Sequence, residues 1–170
     1  QHSASTQNFS GVYVDYAVGA DINGNTVDNV SDAEYGIFLR YATLSDFFVR
    51  NNHVKVGNSN FGIYVGNSSS TTTMNGYIYN NEVILYPVVA TASYSMKVET
   101  CTNLQVTNNS LYIKSDAPYS NTAALMIQNN ANTYLNNNIL LNYCNSSDNT
   151  NYPIYLNGTS TVTGQYNDFV

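Results

Sequence analysis

The chain has 170 residues, enough for one domain with a sizeable core. Only 9% of its residues are charged, against about 25% in ordinary globular domains. With a formal net charge of −6 and few cations, it has nothing to replace the counterions of a nucleic-acid backbone, which argues against DNA and RNA as partners. No run of about 18 apolar residues is present, so no membrane-spanning helix is expected. Asn, Ser, Thr and Tyr take the place of the missing charges, which fits an extracellular or cell-surface protein.

Residues 1–10 read as a polar lead-in and residues 11–170 as a single domain. The first element of that domain is Gly11-Val12-Tyr13-Val14. It recurs as Gly36-Ile37-Phe38-Leu39, Gly62-Ile63-Tyr64-Val65, Ser95-Met96-Lys97-Val98, Ala124-Leu125-Met126-Ile127 and Pro153-Ile154-Tyr155-Leu156. The period-two alternation predicts strands. The aliphatic pair of each copy faces a core, and the residue between them faces out.

A second element follows each copy of the first. It reads Ile22-Asn23-Gly24-Asn25-Thr26-Val27, Val49-Arg50-Asn51-Asn52-His53-Val54, Ile78-Tyr79-Asn80-Asn81-Glu82-Val83 and Val106-Thr107-Asn108-Asn109-Ser110-Leu111. It continues as Tyr134-Leu135-Asn136-Asn137-Asn138-Ile139 and Gly164-Gln165-Tyr166-Asn167-Asp168-Phe169. Its fourth position is Asn throughout: Asn25, Asn52, Asn81, Asn109, Asn137 and Asn167, at gaps of 27, 29, 28, 28 and 30 residues. The element predicts a strand end, a tight turn and a third strand. Asn suits the turn because it tolerates the left-handed backbone. Its amide carries donors and an acceptor, so stacked copies can bond from coil to coil. The longest and least regular corner closes each coil, as in Asp28 to Glu34 or Ser115 to Asn121.

A period of about 28 residues with strand-like content is the signature of a solenoid. The expected fold is all-β, a parallel β-helix of about six coils, with like strands of successive coils paired about 4.8 Å apart. Neither end shows a capping helix, so both are expected to be uncapped. That suits a fragment of a longer chain or a subunit that self-associates head to tail.

The G-[VI]-[YF]-[VL] strands, the Asn-bearing turn and the aliphatic stack resemble the right-handed parallel β-helix proteins of the pectate-lyase-like superfamily, over residues 11–170. The resemblance is specific for fold and weak for function, because that superfamily includes lyases, hydrolases, tailspikes, adhesins and inert stalks. It implies an Asn ladder between the second and third strands, and a substrate face on the outside of the first strand. Here that face carries Tyr13, Phe38, Tyr64, Lys97, Met126 and Tyr155, with Asp15, Arg40, Glu99, Gln128 and Asn157 beside them. Outward aromatics suit sugar rings or a partner surface; cross-strand packing is the other reading.

Glycoside hydrolysis needs two carboxyls about 5 to 9.5 Å apart. The two acids on this face, Asp15 and Glu99, are three coils apart, about 14 Å. Arg40 is one coil from Asp15 and placed to pair with it. The acid cluster and catalytic arginine of the lyases have no counterparts at matching positions, so no catalytic residue is expected. Asp28, Asp32 and Glu34, with Asp21 nearby, form an acidic loop that could take calcium or remain solvated. His53 reads as a surface histidine beside Lys55. Cys101 and Cys144 fall at different corners of neighbouring coils, as a disulfide or as free thiols. Sequons stand at Asn8, Asn29, Asn67, Asn108, Asn145 and Asn157. Together these features suggest a non-catalytic extracellular β-helix, part of a surface fibre, filament, stalk or adhesin. The alternative is a carbohydrate-binding or polysaccharide-degrading module.

Overall fold

The computed structural model describes residues 9–30, 33–57, 60–68, 75–87, 92–115, 121–145 and 151–170. They form three six-stranded sheets in which every neighbouring pair is parallel. Sheet one contains β1 (Phe9–Asp15), β4 (Ala33–Arg40), β7 (Phe61–Gly66), β10 (Ser93–Glu99), β13 (Thr122–Gln128) and β16 (Asn151–Asn157). Sheet two contains β2 (Val18–Asn23), β5 (Thr43–Arg50), β8 (Gly76–Tyr79), β11 (Thr102–Thr107), β14 (Ala131–Asn136) and β17 (Val162–Gln165). Sheet three contains β3 (Thr26–Val30), β6 (His53–Gly57), β9 (Glu82–Tyr86), β12 (Ser110–Ser115), β15 (Ile139–Cys144) and β18 (Asp168–Phe169). Each coil supplies one strand to each sheet, so the chain is a parallel β-solenoid. β1 begins at Phe9, two residues before the first repeat copy.

The register follows the repeat. Val12, Ile37, Ile63, Met96, Leu125 and Ile154 pair in sequence across sheet one, and Val14, Leu39, Val65, Val98, Ile127 and Leu156 form the next column. The middle four members of each column are fully buried, whereas Leu156, in the last coil, is 49% exposed. Stacking each aliphatic on its counterpart removes both from water without any helix or second layer, and this is the main stabilising term. Phe47 shows how uneven side chains are fitted. It is fully buried in the second coil, and a Cβ at Gly76 in the third would collide with its Cζ. The ring needs the space that glycine leaves.

A second small-residue column explains the start of the first repeat element. Gly11, Gly36, Gly62, Ser95, Ala124 and Pro153 occupy one position, where β1 and its counterparts bend against sheet three. A Cβ at Gly62 would collide with Val83 Cγ1 and lie 2.5 Å from the carbonyl oxygen of Ser95. Ser95 fits because its hydroxyl donates to the carbonyl of Tyr112 at 2.7 Å.

The ladder lies where the resemblance implied, with one correction. Its members are Asn25, Asn52, Asn81, Asn109, Asn138 and Asn167, joined at intervals of 27, 29, 28, 29 and 29 residues. The expected fifth member, Asn137, is not in it. The run Asn136-Asn137-Asn138 hides the register in sequence, but pairing of Leu135 with Val106 and of Leu140 with Leu111 fixes it. Leu140 is therefore inward and fully buried, while Ile139 is 43% exposed.

The turn chemistry also divides differently. The left-handed residue is the one before the ladder: Gly24, Asn51, Asn80, Asn108, Asn137 and Tyr166, with φ between 54° and 67°. The ladder Asn is chosen for its amide. The Oδ1 of Asn81 accepts from the backbone N–H and the Nδ2 of Asn52. The Nδ2 of Asn81 donates to the carbonyl of Val49 and to Oδ1 of Asn109. All four bonding positions are filled, so burial at 1% exposure carries no penalty for an unmet polar group. Cys101 and Cys144 are free thiols rather than a disulfide. Burial pushes the Cys101 thiol up to about 12, which leaves it protonated and inert.

The two asparagines of the fifth coil separate these roles experimentally. Asn138→Ala orphans the groups above and below it and is expected to cost about 3 kcal/mol in urea unfolding. Asn137→Gly keeps the left-handed turn and is expected to change stability by less than about 1 kcal/mol. Equal costs would refute the assignment.

Candidate functional site: the outer face of sheet one

The middle strands of sheet one differ from those of the other two sheets in being covered on both faces, whereas β16 has no buried residue. In β7 five of six residues are buried, and in β13 six of seven. Sheets two and three alternate buried and exposed residues along most strands, as sheets with one solvated face do. What covers the outside of sheet one is its own aromatic side chains.

The expected column is present: Tyr13, Phe38, Tyr64, Lys97, Met126 and Tyr155 pair in register. Tyr13 stacks on Phe38 with centroids 4.7 Å apart, and Phe38 on Tyr64 at 5.2 Å. A parallel column was not foreseen: Tyr35, Phe61, Tyr94, Ala123 and Tyr152. Tyr35 stacks on Phe61 at 5.1 Å and meets Phe38 edge-on at 4.8 Å. The two columns interlock as a herringbone, the geometry that aromatic quadrupoles favour.

The signal for the second column was in the sequence. It is the aromatic three residues earlier, in Tyr35-Gly36-Ile37-Phe38, Phe61-Gly62-Ile63-Tyr64 and Tyr152-Pro153-Ile154-Tyr155. An odd spacing normally places two strand residues on opposite faces. Here the rings of Tyr35 and Phe38 nevertheless meet on the outer face.

Packing in this way closes most of the face. Tyr13 is 57% exposed, but Phe38, Tyr64 and Met126 are buried and Tyr155 is packed against Met126. Burial, assisted by the nearby Glu99 charge, pushes the Tyr64 phenol up to about 12. Tyr35 is raised as well, by burial and then by donating its hydroxyl to Glu34 at 2.9 Å.

The charged groups of the face pair with one another. Arg40 grips Asp15 through Nε at 3.3 Å and Nη2 at 2.8 Å, and Tyr13 donates to the same carboxylate at 3.2 Å. The Arg40 bond holds Asp15 below the usual carboxylate range. Lys97 pairs with Glu99 and lies over the rings of Tyr64 and Phe61, 5.7 and 5.8 Å from their centroids. The arrangement provides cohesion between coils.

The remaining candidate residues sit elsewhere. Asp28 faces Lys55 at 3.9 Å, and Asp21 accepts two bonds from Arg50. Asp32 lies outside the described residues, and Glu34 turns to Tyr35. Among the described residues no three His, Cys, Asp or Glu side chains are grouped to hold a metal ion. His53 meets Glu82 at 2.8 Å across the coil boundary. Of the sequons, Asn108, Asn145 and Asn157 are exposed and Asn67 is half-buried; Asn8 is not among the described residues, nor is the side chain of Asn29.

A groove that the sequence did not announce opens on the outside of sheet three. It has a volume of about 420 Å³ and is lined by Glu82, Ile84, Tyr86, Ser110, Tyr112 and Leu141, among others. Its members alternate with core residues of β9, β12 and β15, so each looked like an ordinary solvent-facing position.

No protein-family model, curated protein or solved structure matches the chain. Its class is set by its own geometry, a parallel β-solenoid held by an asparagine ladder.

Tyr64 gives a pH signature. Its phenol is raised in the folded state above the ordinary value of about 10. The stability it contributes is therefore complete below about pH 10 and lost as pH rises towards about 12. Phenolate absorbance is expected to show a late step coinciding with unfolding, which Tyr64→Phe reduces. Titration of all 16 tyrosines near 10 with the fold intact would contradict the burial of this face.

Proposed function

We propose that the chain is a non-catalytic extracellular β-solenoid, a rigid section of a surface fibre, filament, stalk or adhesin. The observation that supports this most is how its charges are used. Arg40–Asp15, Arg50–Asp21, His53–Glu82 and Lys55–Asp28 each join one coil to the next. The ladder amides and the aromatic columns run in the same direction. Cohesion along one axis is what a load-bearing rod requires. The strand pattern and ladder position further support a right-handed member of the pectate-lyase-like superfamily, in keeping with the usual hand of parallel crossovers. Antibody to the purified chain is expected to label unpermeabilised source cells along surface projections. Label that depends on permeabilisation would overturn this reading.

The sheet-three groove favours a second reading, carbohydrate binding. Its volume falls within the range of small-ligand sites. Tyr86 and Tyr112 offer aromatic surface for sugar C–H groups, with Glu82 and Ser110 beside them for hydroxyls. A glycan array is expected to give hits that disappear in Tyr112→Ala. No hits, or hits indifferent to that change, would remove this reading.

A further inference from the structure

The corner between sheets one and two places one residue per coil in the left-handed backbone region. The column reads Tyr16, Tyr41, Asn67, Thr100, Asn129 and Gly158, with φ of 57°, 53°, 49°, 52°, 52° and 67°. Asn and Gly adopt this conformation readily, whereas a tyrosine there is strained. The corner does not demand an aromatic, since three of the later coils make it with Asn or Gly. The first two coils nevertheless use tyrosine, and the two rings stack with centroids 4.6 Å apart and planes 20° from parallel. Arg40 lies over the Tyr41 ring at 4.9 Å, and Tyr16 is 75% exposed. The corner presents a stacked pair of phenols at the surface, one on each side of a coil boundary.

We propose that Tyr16 and Tyr41 are a site of oxidative cross-linking, coupled to dityrosine by a peroxidase that consumes hydrogen peroxide. Each phenol gives up its O–H hydrogen as a proton and an electron. The two tyrosyl radicals form one carbon–carbon bond between ring positions ortho to oxygen. Each coupled ring then moves its ortho hydrogen to its own oxygen and becomes aromatic again. The chain loses two hydrogen atoms in total, and one hydrogen peroxide becomes two waters. Stacking matters because rings already in contact couple within the molecule before either radical meets one on another chain. Adjacent parallel strands keep the two backbones about 4.8 Å apart, so an intramolecular product forms without unwinding the coils. The product is a covalent staple between the first and second coils, added after folding. No cysteine pair among the described residues provides one.

The other tyrosine contacts act as internal controls. Tyr35 meets Tyr64 edge-on at 5.4 Å, Tyr152 and Tyr155 stack at 5.5 Å, Tyr112 and Tyr143 are tilted at 5.7 Å, and Tyr86 meets Tyr112 edge-on at 6.4 Å. The purified chain, treated with a haem peroxidase and limiting hydrogen peroxide, is expected to give a monomer lighter by two hydrogen atoms with dityrosine fluorescence. Peptide mapping is expected to join Tyr16 to Tyr41, and the product to unfold at higher urea than the untreated chain. Tyr16→Phe and Tyr41→Phe keep the ring stack and so the fold, and each is expected to abolish the joined peptide. The proposal is overturned if the link maps to other tyrosines, if only intermolecular links form, or if the Phe variants cross-link as before.

Discussion

The interaction on which the rest depends is the hydrogen bond from one ladder amide to the next. Aliphatic stacking supplies more free energy and also resists slippage, because a one-residue shift would turn the inward set outward. The ladder adds a directional penalty for the same error. Asn52 is 2% exposed and Asn81, Asn109 and Asn138 are 1% exposed. A coil displaced by one residue would bury two or more unmet amide groups, at about 1–3 kcal/mol each. The six asparagines and the aliphatic columns therefore select the same register, to which the herringbone and ion pairs conform. The first corner repeats the device less regularly: Ser68 accepts from the N–H of Ala42, and Asn130 from that of Cys101.

The three faces have different characters. Sheet one is closed inside and out along its middle strands, by aliphatics and by interlocked aromatics. Sheet two is solvated, with Arg50 spread between Asp21 and the Tyr79 hydroxyl. Sheet three combines a charged end, where Lys55 meets Asp28 and His53 meets Glu82, with an apolar groove further along. The open part of the outer face of sheet one is at its ends, where Tyr13 and Tyr152 remain exposed.

Much of the architecture is legible in the sequence because a repeat provides its own alignment. Six copies of one element, each with aliphatics two apart, define strand, inward face and stacking direction without any related sequence. The pattern fails as a guide where local composition erases it. Three consecutive asparagines in the fifth coil leave the ladder position ambiguous by one, and only the paired leucines on either side resolve it. The second aromatic column is hidden for another reason. Strand periodicity assigns Tyr35 and Phe38 to opposite faces, yet their rings meet; at Gly36 between them a Cβ would collide with Val54 and with the carbonyl oxygen of Gly62. The tyrosine pair at the first corner is legible by the same alignment, since Tyr16 and Tyr41 each stand five residues after the opening glycine of their repeat copy, Gly11 and Gly36.

Which amides form the column reports the register of the whole stack. Side-chain carboxamide protons report this directly, because those locked in the ladder exchange with solvent only when the coils separate. Nuclear magnetic resonance exchange measurements on the intact chain are expected to find the Nδ2 protons of Asn52, Asn81, Asn109 and Asn138 among the slowest, and those of Asn137 fast. Fast exchange at Asn138 together with protection at Asn137, or fast exchange at all of them, would contradict the register on which the structure is built.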